Sequence, residues 1–167
     1  MKKIIITLTL LLISQIAFAQ TTDNLRQALS KVEGTEVVDF PSLIVKMMNK
    51  GMKGKTKIEK QTIIAAETNQ AEFVKTLNVE LQKLLNNGFK LKEQPTPEGD
   101  TMLSYTLGDD KFAYEIVYHL VGKNASSMII ILKGKIDYAN LKGDLSKRPT
   151  IDANFIKRAE EMVSKMF

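Results

Sequence analysis

Phe112-Ala113-Tyr114-Glu115-Ile116-Val117-Tyr118-His119-Leu120-Val121 is the stretch whose reading decides the fold. It is rich in β-branched and aromatic residues with a period of two. It therefore predicts a strand with Phe112, Tyr114, Ile116, Tyr118 and Leu120 on one face and Ala113, Glu115, Val117, His119 and Val121 on the other. On either side of it, 89–93, 101–107 and 127–136 repeat the pattern. The separators are Pro95-Thr96-Pro97-Glu98-Gly99, Gly108-Asp109-Asp110 and Gly122-Lys123-Asn124, all short and all built from turn residues. Four strands joined this way form an antiparallel meander. One face is expected to carry helices and the other to be at least partly wet.

Upstream, the period changes. Phe73, Val74, Leu77, Leu81, Leu84 and Leu85 form one apolar stripe over 69–87, with Thr68 or Asn69 available as an N-cap and Asn87-Gly88 as a stop. A strand over 57–67 centres on Ile63, Ile64, Ala65 and Ala66. Before it, Pro41 ends a short strand at 35–40 and opens a helix over 42–52 with Leu43, Ile44, Met47 and Met48 on one side. Leu25, Leu29 and Val32 mark a first helix at 23–32 that Gly34 ends, and Phe155, Ile156, Ala159, Met162, Val163 and Met166 mark a last one at 152–166. The reading is a single α+β domain: an antiparallel sheet of four to six strands with the helices at 69–87 and 152–166 packed on one face. That arrangement buries every apolar face once.

With 44% hydrophobic and 26% charged residues, the chain has the composition of a globular domain, not a disordered one. Its first nineteen residues differ from the rest. Lys2 and Lys3 precede an apolar run from Ile4 to Ile16, and Ala17-Phe18-Ala19 supplies small residues at −3 and −1. This is the pattern of a secretory signal peptide, and the run is too short for a transmembrane anchor. Cleavage after Ala19 leaves residues 20–167 as the domain, with Gln20 leading. The chain has no Cys, so lipid attachment, disulfides and thiolate chemistry are all excluded. Loss of Lys2 and Lys3 with the leader lowers the net charge from +5 to +3, too little to argue for nucleic acid. The expected location is the periplasm or cell surface, without lipidation and with no transmembrane segment after cleavage.

Residues that could carry chemistry are few. His119 is the only histidine, and the reading places it as a half-exposed strand residue. Glu115 shares its face but lies about 13 Å away along an extended strand. Met47, Met48 and Met52 have the thioethers that hold soft metals, but core packing needs the same helical spacing, so neither metal nor cofactor is expected. Lys46, Lys50, Lys53, Lys55, Lys57 and Lys60 face only Glu59 between positions 46 and 60, which makes Lys46, Lys50, Lys53, Lys55 and Lys57 the candidate binding residues for an anionic lipid or glycan surface. No nucleophile elbow, zinc-protease helix or phosphate loop is present, so no catalytic residue is assigned. Asn124-Ala125-Ser126 matches a glycosylation sequon that a turn explains equally well.

Taken in order, Val37, Val38, Ser42, Met47 and Met48, then Met128 to Leu132, then Gly134, Ile136, Asp137 and Leu141 resemble the pattern of a family of small exported Bacteroidetes proteins of unknown function. The likeness covers roughly 32–142 and implies the α+β fold and an envelope location. It also draws attention to Asp100-Thr101-Met102, which resembles the O-glycosylation signal of exported proteins in that phylum, with Thr101 as the acceptor. The expected function is a non-enzymatic binding or interaction module whose partner is an envelope protein, peptide or glycan. The alternatives are an envelope hydrolase using carboxylates such as Glu115 and Asp137, or a basic binder of anionic surfaces.

Overall fold

The computed structural model describes residues 21–50, 52, 55–95, 101–122 and 127–138. In chain order they form α1 (Thr21–Leu29), β1 (Thr35–Asp39), α2 (Ser42–Lys50), β2 (Lys57–Ala66), α3 (Gln70–Asn86), β3 (Lys90–Pro95), β4 (Thr101–Gly108), β5 (Phe112–Val121) and β6 (Ser127–Asp137). The strands make one open sheet in the order β1-β2-β6-β5-β4-β3, every neighbouring pair antiparallel. The single α+β domain read from the sequence is therefore the fold. Its meander is β3 to β6, and the two earlier strands complete six by pairing β2 with β6. The expected leader and the helix at 152–166 lie outside the described residues.

A long helix makes that order possible. After β2 the chain must reach the far edge, four strand spacings or about 19 Å away, and the seventeen residues of α3 span about 25 Å. Its stripe of Phe73, Leu77, Leu81 and Leu84 packs, together with Leu25 and Leu29 of α1, on Ile64, Tyr105, Val117, Ile129 and Ile131. Asn69 precedes α3 in the left-handed region at φ 53° and makes no side-chain cap, contrary to the expected capping role. At the other end the Asn87 and Phe89 amides donate to the Leu84 carbonyl, and Gly88 takes the positive φ that such a stop requires.

Two details depart from strict alternation. A bulge between Ala113 and Glu115 shifts the register of β5 against β6, so Tyr114 leaves the ladder and stands exposed while Ala113 and Ile116 fall in one cluster. The second face is also drier than expected. Ile63, Met102, Leu120 and Met128 are buried there, and Val45 of α2 packs beside them on Ile58, Ala113, Ile116 and Ile136. Thus α1 and α3 share one face of the sheet while α2 lies against the other.

Gly134 sits opposite the β2 bulge between Ile58 and Lys60, at φ +146°. A Cβ there would lie 2.2 Å from the Lys57 carbonyl oxygen, which is backbone and cannot swing away. Gly134→Ala is therefore expected to lower unfolding stability by about 1–3 kcal/mol, measured by urea denaturation. An unchanged midpoint would show that the β2–β6 pairing does not depend on this close approach.

Candidate interaction surface

Local sequence chemistry sets how α2 sits. Pro41 opens it, and its carbonyl accepts the Val45 amide at 3.2 Å. Of its nine residues Leu43, Ile44, Val45, Met47 and Met48 are apolar, so hydrophobicity alone allows more than one arc to face inward. Asn49 decides between them. Its amide nitrogen donates to the Ile58 carbonyl at 2.6 Å and its amide oxygen accepts the Ile58 amide at 2.9 Å, so one side chain pairs with both backbone groups of a β2 residue. This clamp turns Ile44 and Val45 inward and leaves Leu43 53%, Met47 51% and Met48 37% exposed. The sequence reading that grouped Leu43, Met47 and Met48 with Ile44 as a buried side is corrected accordingly. Met52 packs partly against the inner cluster, away from the outward Met47, so the three methionines do not share a face.

Leu43, Lys46, Met47 and Lys50 recur at i, i+3, i+4 and i+7, forming one outward stripe that is half apolar and half cationic. Lys46, Lys50 and Lys55 are exposed and make no ion pair among the described residues. Lys57 reaches Glu59 at 3.7 Å with both side chains largely in solvent, a contact worth little. Register places Lys57 directly opposite Lys135, a like-charge pair, and Lys135 turns over the Phe112 ring at 4.2 Å. The structure thus groups four of the five candidate lysines around α2 and the start of β2, while Lys53 lies outside the described residues. Thr101 begins β4, half-buried between Pro95 and Val121. Asp100 and the sequon at Asn124 lie outside the described residues.

On the other face, a polar network that no motif announced fixes α1. The Thr22 hydroxyl donates to Glu115, and Lys133 stands 3.8 Å from Glu115 and 3.1 Å from Asp23. Asp23 also faces Lys60 at 3.9 Å. Arg26 pairs with Asp39 at 2.5 Å, and the Thr62 hydroxyl donates to the same carboxylate. Burial pushes the Glu115 carboxyl above its usual range, against the Thr22 hydrogen bond and the Lys133 charge. At Asp39 burial works the same way, but the hydrogen bonds from Arg26 and Thr62 and the charges of Arg26 and Lys60 outweigh it and hold that carboxyl low. In the sequence, a place on the same strand face as His119 was the signal that pointed to Glu115. Its pairing partner Lys133 lies four residues before Asp137 on β6, so the two suggested catalytic carboxylates are about 13 Å apart and make no dyad.

His119 is buried, at 6% exposure, where the sequence suggested half-exposure. Its Nε2 lies 3.3 Å from the Ser127 hydroxyl, and its Nδ1 has no partner among the described residues. Desolvation lowers its pKa to about 4. A groove of about 390 Å³ runs between α1 and α3, lined by residues such as Asn24, Gln27, Lys31, Glu80 and Lys83. None of its lining residues is aromatic, and Lys83 already pairs with Glu80 at 2.6 Å, so it lacks the apolar walls of a small-molecule site. Among the described residues no three His, Asp or Glu side chains converge as metal ligands, and no helix is long and apolar enough to cross a membrane.

The chain matches no family model, and no curated protein is similar to it. A solved structure described as the "putative lipoprotein LppA from Mycobacterium tuberculosis" is similar over 81% of this chain and 83% of that one, at 11% identity and a TM-score of 0.40, a likeness too distant to carry an argument.

Two outcomes are expected from these contacts. Asn49→Ala removes both partners of Ile58 and should cost about 1–3 kcal/mol of stability, read by chemical denaturation. His119 is harder to protonate folded than unfolded, so its contribution is complete above about pH 6.5 and is lost as pH falls towards 4, a loss of order 3 kcal/mol. His119→Gln should flatten stability against pH across that window. Glu115, with its raised pKa, works in the opposite sense, favouring the fold as it takes up its proton. A His119→Gln curve with the same slope as wild type between pH 6.5 and 4 would contradict the assignment to His119.

Proposed function

We propose that this chain is an exported, non-enzymatic interaction module of the cell envelope, periplasmic or at the cell surface, and that the outward stripe of α2 is its contact surface. One observation carries the reading: Leu43 and Met47 stand about half exposed, and Met48 37% exposed, on a single nine-residue helix beside Lys46 and Lys50. Single exposed apolar residues are ordinary on any protein surface, whereas three clustered on one short helix mark a place where something binds. Export rests on the leader pattern at 1–19, which no Cys follows in this sequence. Membership in the exported family that 32–142 resembles is part of the same proposal. The hydrolase alternative gains nothing from Glu115, which is tied to Thr22 beneath α1 and has no nearby carboxylate partner at Asp137.

A photo-crosslinking residue at position 47 tests this, with one at position 79 as the control, because Val79 is equally exposed but stands on α3. Incubated with isolated envelope material, the processed protein should form adducts from position 47 and few from position 79. Equal yields at both positions, or none at 47, would remove α2 as the contact surface.

A further inference from the structure

We infer that the α2 stripe seats on an anionic lipid surface, with Leu43 and Met47 entering the interface and Lys46 and Lys50 flanking them against the headgroups; this rests on the reading that α2 is the contact surface. Three features of the molecule point to lipid. The first is charge: Lys46, Lys50 and Lys55 are exposed without ion pairs among the described residues. Exposed cations of this kind are drawn to an anionic surface and not to a neutral one.

The second is the arrangement of apolar and cationic groups. Interfacial helices carry apolar side chains in one stripe with Lys beside them, so that the stems lie along the boundary and the ammonium groups reach the phosphates. Leu43, Met47, Lys46 and Lys50 have that arrangement, and Met48 widens its apolar flank. The third is preorganisation. A nine-residue helix in isolation is unstable in water, and a peptide of this length would have to fold as it bound. Here the Asn49 clamp on Ile58 and the burial of Ile44 and Val45 hold the helix in place before any contact, so binding requires little further ordering.

The probe is a set of vesicles: pure phosphatidylcholine, and phosphatidylcholine mixed with phosphatidylglycerol. The processed protein, with its leader removed, should co-sediment with the mixed vesicles at low salt and not with the neutral ones. Binding should weaken by at least about tenfold as salt rises from about 0.05 to 0.5 M, since screening shortens the reach of each charge. The double variant Lys46→Gln, Lys50→Gln should bind about 25-fold more weakly, at roughly fivefold per lysine. Leu43→Ser, Met47→Ser should also lose binding, while Lys75→Gln on α3 should not. Circular dichroism melts identify any variant that has lost its fold.

Co-sedimentation with neutral vesicles as strong as with the mixed ones, or no loss in the lysine double variant, overturns the lipid assignment. So does failure of the unmodified protein to bind mixed vesicles at low salt. If that failure is accompanied by adducts from position 47 to an envelope protein, the occupant is a protein and the interaction reading survives. If position 47 yields no adducts either, both readings fail.

Discussion

The pairing of β2 with β6 holds the molecule together. It places Ile63 opposite Ile130 and Ile64 opposite Ile129, and because strand neighbours point to opposite faces, this one ladder seeds the cores on both sides of the sheet. A slip of β2 by one residue would exchange its faces and turn Ile64 away from α3, leaving Ile129 without its partner. The register is fixed at one end by the bulge at Ile58 and Lys60, where Gly134 admits the β2 backbone, and is reached only because α3 carries the chain across to the far edge first. Without that crossing, β3 to β6 would be a meander with no partner for β6.

The same ladder positions the polar groups. Lys60 and Thr62 of β2 and Lys133 of β6 rise on the face beneath α1, where they meet Asp23, Asp39 and Glu115. Burying a carboxylate such as Glu115 is costly unless it is paired and hydrogen-bonded, and Thr22 and Lys133 supply both. These contacts tie α1 to β1, β2, β5 and β6 at once, which suits a helix of nine residues that packing at Leu25 and Leu29 alone would leave free to slide. The exposed Lys46 and Lys50 lie on α2, on the opposite side of the sheet from this network. Beneath α1 the charges of the network are paired, whereas Lys46 and Lys50 on α2 make no ion pair among the described residues.

Much of this was legible in the sequence because periodicity is a local signal. The alternation in β4 and β6, and in β5 from Glu115 onward, assigns residues to faces, the stripe from Phe73 to Leu84 specifies which side of α3 turns inward, and the structure keeps these. What escaped depends on contacts between distant residues. Nothing near Tyr114 announces that both neighbouring strands will shift register there, so the bulge is invisible until β4 and β6 are in place. The burial of His119 follows from its neighbours across the sheet, not from its own strand, which reads equally well as half wet. At α2 the signal itself was ambiguous, since five of nine residues are apolar and only the reach of Asn49 to Ile58 selects an arc. The lysines were legible as a cluster; the apolar half of the surface was not, because the methionines had been assigned to the core.

That ambiguity bears on function. Burial of a large apolar side chain stabilises a protein by roughly 1.5–3 kcal/mol, so a rotation exchanging the buried Ile44 and Val45 for Leu43 and Met47 would change the balance little and packing alone leaves the choice of arc open. The clamp works against that rotation. A single amide holds both backbone groups of Ile58, so any turn of α2 about its axis breaks two hydrogen bonds and leaves those groups unpartnered in a half-buried setting. The outward orientation of the apolar stripe is therefore fixed by a specific polar contact and is not a residue of poor packing. The proposed contact face rests on this: an exposed apolar surface held outward by a specific polar contact, next to Lys46 and Lys50 without ion pairs among the described residues.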